Sequence, residues 1–164
     1  MRNITDLQLD QSATPPSLKN IKHFEEHFGV ILPPEYVFFL YQANGGVPRG
    51  VSHYDYLTSV GESGNGGVGS FYPFTPGTEE EDGGVWDSTQ FLRDIFLDAG
   101  LSTDIVAIGE DGGANQLFLS MGVKPATVHV FFRTSNNSTP KIANSFEEFI
   151  DNLYVFVDPD SYTS

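Results

Sequence analysis

Residues 24–48, FEEHFGVILPPEYVFFLYQANGGVP, decide how the rest of this 164-residue chain is read. They hold the end of one helix, a stop at Gly29, a proline-initiated second helix, and an Asn44-Gly45-Gly46 exit into a strand. Gly29 suits the left-handed conformation that ends helices, because it has no Cβ to clash at positive φ. Pro34 in the first helical turn gives up no hydrogen bond that the helix needs. Tyr36, Phe39, Leu40 and Ala43 follow the i, i+3, i+4, i+7 spacing of a helix with one buried face. Phe28, Ile31 and Leu32 join them, which makes the stretch a core-building corner. It contains no nucleophile, metal cluster or phosphate loop, and this tilts the reading toward binding and away from catalysis.

Outward from the corner, Ser17 is placed to cap a helix that carries Leu18, Ile21, Phe24 or Glu25, and Phe28 on one face. Residues 1–16 are polar, lack periodicity and close on Thr14-Pro15-Pro16, so they are expected as a flexible arm. In the other direction, residues 51–60 and 70–74 have strand texture. The glycine-rich run between them, residues 61–69, is expected as a flexible hairpin loop. It lacks the Gly-Lys-Ser/Thr ending of a phosphate loop and carries Glu62 where a phosphate would need positive charge. Glu79-Glu80-Glu81-Asp82 are four adjacent like charges and read as an exposed loop.

A helix capped by Asp87 or Ser88 should run to Ala99, with Phe91, Leu92, Ile95 and Phe96 facing inward and Gly100 as its stop. Ile105-Val106-Ala107-Ile108 suits a buried strand that turns through residues 109–115 into a second strand over 116–121. Residues 127–133 are β-branched and aromatic, a further strand. Ser145 and Glu148 make a capping box for a last amphipathic helix with Phe146, Phe149, Ile150 and Leu153. Strands joined by turns, with helices at the ends and between, predict an α+β fold with a mainly antiparallel sheet and helices packed against it. The expected organisation is an arm over 1–16, one domain over 17–157 and a tail over 158–164.

Composition narrows the function. The chain has no Cys, which removes disulfide frameworks, Cys-based zinc sites and Cys nucleophiles, and fits a reducing cytoplasm. No leader-like apolar segment opens the sequence, and no run approaches the ~20 apolar residues that span a bilayer. Eight Lys and Arg stand against 22 Asp and Glu, a formal net charge of −14. That balance argues against nucleic acid and anionic membranes as partners and favours a basic protein, whose encounter long-range steering would accelerate.

Signals for chemistry are weak. His23 and His27 lie one helical turn apart but lack a third zinc ligand, and His129 alternates with Val128 and Val130 as a sheet-face residue. The Glu110–Asn115 turn lacks the alternating oxygen ligands of a calcium loop, and a tight β-turn explains it better. No Gly-x-Ser-x-Gly elbow is present. Paired carboxylates for glycoside hydrolysis need a convergence that sequence does not display. No cofactor or metal is expected.

Three segments together resemble the SUKH superfamily, named in part for the fungal Smi and Knr cell-wall regulators. Residues 24–36 running on to Asn44-Gly45-Gly46 resemble its helix–LP–helix–NGG signature. Residues 108–117, IGEDGGANQL, resemble its central glycine-rich hairpin, with Ala114-Asn115 where many members carry an acid. Ser145-Phe146-Glu147-Glu148-Phe149 resembles its terminal helix. The resemblance covers residues 17–155 and implies a six-strand-class α+β fold. It implies, for bacterial members, a non-catalytic immunity protein that binds and neutralises a cognate toxin, often a nuclease, of a polymorphic or contact-dependent system. The fungal relatives suggest the alternative of a regulatory scaffold. For a basic toxin, the candidate contact residues are Glu79, Glu80, Glu81 and Asp82, helped by Glu62, Asp55, Glu110 and Asp111.

Overall fold

The computed structural model describes residues 7–58, 60–75, 84–113, 115–133 and 136–155. Helix α1 spans Leu18–Phe28 and α2 spans Pro34–Gln42. The Ser17 side chain accepts from the Asn20 amide, and Gly29 at φ 67° closes α1, both as the sequence predicts. Between the helices, the Glu25 carboxylate accepts from the Leu32 amide at 2.7 Å, which pulls Leu32 into the core. Ile31, expected in that core, is instead 79 % exposed, because the tight link presents its two neighbours Val30 and Leu32 inward.

The main sheet is a six-stranded antiparallel meander in the order β3 (His53–Leu57), β4 (Ser63–Phe71), β5 (Ile105–Asp111), β6 (Gln116–Ser120), β7 (Thr127–Phe131) and β8 (Lys141–Ala143). The sheet curls until its edge strands β3 and β8 meet, and Tyr56 and Phe132 close the seam with ring centroids 4.9 Å apart. Helix α3 (Val85–Ala99) covers one face through Phe96, which packs edge-on to Phe118 and Phe131. Helix α4 (Phe146–Asn152) joins α2 on the other face, where Phe39, Phe71, Phe146 and Phe149 cluster. The α+β class with a mainly antiparallel sheet is therefore the observed architecture.

The glycine-rich run differs most from expectation. Residues 63–69 form most of strand β4, next to the edge strand β3, and not a loop. Tyr54 and Tyr56 of β3 lie directly over their cross-strand partners Gly66 and Gly64. A Cβ at Gly66 would stand 2.7 Å from the Tyr54 hydroxyl, and one at Gly64 would stand 2.5 Å from that of Tyr56. The glycines are thus a trough for aromatic rings, and the strand draws its order from the neighbouring side chains.

The N-terminal segment is also not loose over residues 7–16. Leu7 is buried, and β1 (Leu9–Asp10) pairs with β2 (Val47–Pro48) in a two-stranded antiparallel sheet. Asp10 and Arg49 form a surface ion pair across it. Asn44, 2 % exposed, fastens both sides of this junction: its Nδ2 donates to the carbonyls of Thr14 and Phe74, and its Oδ1 accepts from the Phe74 amide at 2.6 Å. Gly45 and Gly46 follow at φ 74° and 121°, with neighbouring backbone atoms 2.6 and 2.4 Å from where a Cβ would sit. The Asn44-Gly45-Gly46 motif is a backbone clamp.

Two further boundaries shift. Helix α3 begins at Val85 with Gly84 as its N-cap, so Asp87 lies in the first turn and does not cap the helix. Phe91, expected inward, is 53 % exposed, while Leu92 and Phe96 turn in. A β-bulge at Ala107–Gly109 frees the Ala107 amide, which donates to the buried Thr89 hydroxyl of α3 at 3.0 Å. Strand β8 lacks the length to be legible in the sequence.

Candidate partner-binding surface

Four of the acidic candidates, Glu79, Glu80, Glu81 and Asp82, lie outside the described residues. The other four occupy three places. Asp55 is exposed in β3 and accepts from the Tyr154 hydroxyl at 2.7 Å, an interaction that raises the Tyr154 pKa chiefly through that hydrogen bond. Tyr154 also exchanges backbone hydrogen bonds with His53, extending the sheet by one residue beyond its edge. Glu62 sits in the β3–β4 connection, where its amide donates to the Thr58 hydroxyl and its carbonyl accepts from the Thr58 amide.

Glu110 and Asp111 end β5 and are half-buried. Glu110 opposes Ser70 and Gln116 on the flanking strands. Beside it, the Tyr72 hydroxyl donates to Gln116 Oε1 at 2.6 Å, and burial together with the Glu110 charge pushes the Tyr72 phenol up to about 12. Asp111 is occupied by its own hairpin: Oδ1 accepts from the Gly113 and Asn115 amides, and Oδ2 from the Asn115 side chain, each at 2.8 Å. These bonds fix the turn whose glycine and asparagine residues the sequence singles out. They leave Asp111 less available to a partner than its charge suggests.

Strand alternation separates Glu110 and Asp111. Asp111 pairs with Val68, two residues along β4 from Gly66, the cross-strand partner of Tyr54, so Asp111 lies toward the face that Tyr54 shares. Glu110 points to the opposite face with Gln116. The two carboxylates do not converge as an acid–base pair. Asp55 follows Tyr54 and likewise faces away from it. The structure thus groups Asp55 and Glu110 on one face, places Glu62 at a hairpin tip, and sets Asp111 apart.

The histidine pair of α1 has a packing role. His23 stacks on Trp86 at 5.2 Å and His27 tilts over the same indole at 4.8 Å, with Phe24 and Phe28 beneath. Among the described residues no three His, Cys, Asp or Glu side chains are grouped to hold a metal ion, and no helix is long and apolar enough to cross a membrane. His129 donates or accepts at both ring nitrogens, to the Thr127 hydroxyl and the Thr139 carbonyl at 2.9 Å each, and stacks on Phe118.

One surface feature escaped sequence reading. The corner loop between α1 and α2 and the β6–β7 hairpin form the walls of a groove lined by Ile31, Pro33, Val123 and Pro125, with Glu35, Asp104 and Lys124 among its charged residues. Its sequence signal is Ile31 beside Leu32-Pro33-Pro34, since the extended backbone favoured before a proline turns successive side chains to opposite sides.

Compared with known proteins, residues 15–152 match the family model described as SMI1 / KNR4 family (SUKH-1). No curated protein matches the chain.

Proposed function

The chain belongs to the SMI1 / KNR4 family (SUKH-1), and we propose that it is an immunity protein, which binds a cognate basic toxin in the cytoplasm and neutralises it without catalysis. The observation that carries this reading is the charge: 22 acidic residues against eight Lys and Arg, a net −14. Two of those few cations are already engaged, Arg49 by Asp10 and Arg93 by backbone carbonyls in the interior. A basic toxin that grips phosphates would meet a field of the sign it is built to bind, and a nuclease is a fitting target. Glu79, Glu80, Glu81 and Asp82 would steer the encounter, with Glu62, Asp55 and Glu110 adding to the field and Asp111 contributing charge from within its turn.

The test is co-expression with the product of the neighbouring reading frame. Protection of the cells and a complex stable to purification are expected, with association slowing as salt rises. Neutralising Glu79, Glu80, Glu81 and Asp82 should slow association more than it speeds release. Binding that is indifferent to salt and to those substitutions would remove the acidic surface from the account. Absence of any protection would leave the family's alternative, a non-catalytic regulatory scaffold.

A further inference from the structure

We infer that the groove between the α1–α2 corner and the β6–β7 hairpin is a docking site for a basic protein segment, one that seats a single aliphatic or aromatic side chain between Ile31 and Val123. This inference rests on the reading of the chain as a binder of a basic protein and names where that protein holds on. The groove encloses about 400 Å³ and is open along one side, room for one large side chain and its flanking backbone. Ile31 and Val123 stand 79 % and 51 % exposed on opposite walls, large apolar side chains left in water at the same hollow.

The walls are preorganised. Glu25 ties down the Leu32 amide, Pro33 and Pro34 fix the next two φ angles, and on the other wall the Met121 amide donates to the Asp104 carbonyl at 2.9 Å. A partner would therefore lose little affinity to ordering this surface.

Charge selects the occupant. Two carboxylates, Glu35 and Asp104, line the groove against the one ammonium of Lys124. Among the described residues neither carboxylate forms an ion pair. Arg93 feels Asp104 but directs Nε and Nη1 to the carbonyls of Ile105 and Phe28. A Lys or Arg next to the inserted side chain completes the match, so apolar burial supplies the anchor and the acids choose its neighbours. The other hollows fit this role less well. That between the β3–β4 and β7–β8 hairpins is lined by Asn136, Asn137 and Ser138, and the one at the seam holds the Tyr154–Asp55 bond.

The experiment titrates the isotope-labelled full chain with a five-residue peptide, a leucine between two pairs of basic residues, and follows amide shifts. Shifts at Gly29, Ile31, Asp104 and Val123 are expected. An alanine-centred analogue should bind roughly tenfold more weakly, the factor that most of a leucine's buried surface carries. The Ile31→Gln/Val123→Thr double variant should lose the response with an unchanged unfolding midpoint, since both side chains are exposed. Shifts confined to other surfaces, or equal binding of the two peptides, would overturn the proposal. The double variant's affinity for a neutralised toxin separates this inference from the functional reading. An affinity equal to that of the unaltered chain refutes the groove and leaves immunity standing. A peptide seated in the groove of a chain that protects no cell leaves the groove standing and refutes immunity.

Discussion

The side chain of Asn44 pairs with the backbone of Phe74 as a second strand would, accepting from its amide at 2.6 Å and donating to its carbonyl at 3.0 Å. The same Nδ2 holds the Thr14 carbonyl at 2.7 Å, so one buried amide joins the N-terminal segment, the end of α2 and the chain leaving β4. Asn44→Ala should leave two carbonyls and an amide without their partner in a buried site and cost about 3 kcal/mol. Asn44→Asp should do no better at neutral pH, because it turns an acceptor toward the Thr14 and Phe74 carbonyls. Urea unfolding of the three proteins checks both outcomes; an Ala variant within 0.5 kcal/mol or so of wild type would contradict the clamp.

Strand β4 yields a prediction that a flexible loop would not. Gly66→Ala drives a methyl group toward buried Tyr54, and Gly64→Ala drives one toward half-buried Tyr56. Tyr54 is buried and packed against Phe149, so Gly66→Ala should cost about 1–3 kcal/mol, the usual range for overpacking. Tyr56 can move toward solvent, and Gly64→Ala should cost less. Thermal denaturation of the two variants checks the order; two neutral substitutions would return this run to the status of a loop.

That strand marks the limit of what the sequence discloses. Residues 24–48 and the capping Ser17 and Ser145 are legible because their structure is set by local chemistry: a left-handed glycine, a proline in a first turn, a hydroxyl on a free amide. The meander follows from turns between apolar runs. Gly64, Gly66 and Gly67 disclose nothing locally, since what orders them is Tyr54, Tyr56 and His53 on the next strand. Phe91 and Ile31 mislead for the related reason that periodicity assigns apolar residues to a face before the partner surface is known. The acidic candidates are legible as charge, yet only the fold reveals that Asp111 is bound within its turn and that Glu110 faces away from it.

Arg93 should resist conservative replacement. Its Nε and Nη1 bridge the Ile105 and Phe28 carbonyls at 3.1 Å each while the guanidinium lies 5.0 Å over the Phe28 ring, linking α3 to β5 and to the end of α1. Burial pulls its pKa down, with the Asp104 charge opposing. Arg93→Ala should cost about 2–4 kcal/mol through two unpaired carbonyls and lost packing on Phe28. Arg93→Lys should recover less than half of that loss, because a single ammonium lacks the planar fork that spans both carbonyls. Chemical denaturation of both variants decides it, and full recovery by lysine would show that charge alone matters here.

His129 gives the fold a defined response to acid. Burial is the largest influence on its imidazole and pulls its pKa below 6.5; nearby Lys141 adds to the depression and the Thr139 carbonyl opposes it. A carbonyl can only accept, so Nδ1 carries the proton toward Thr139 and Nε2 accepts from the Thr127 hydroxyl. The unfolded chain then binds this proton more readily than the folded one. The contribution of neutral His129 to stability is fully present above pH 6.5 and is lost as pH falls from there toward the lower folded value. Comparing the unfolding free energy of wild type and His129→Gln from pH 8 to pH 5 isolates the effect. The wild type should lose stability on acidification faster than the variant, and the His129 ring resonances should titrate below pH 6.5. Parallel profiles for the two proteins would mean that the imidazole is no less basic folded than unfolded.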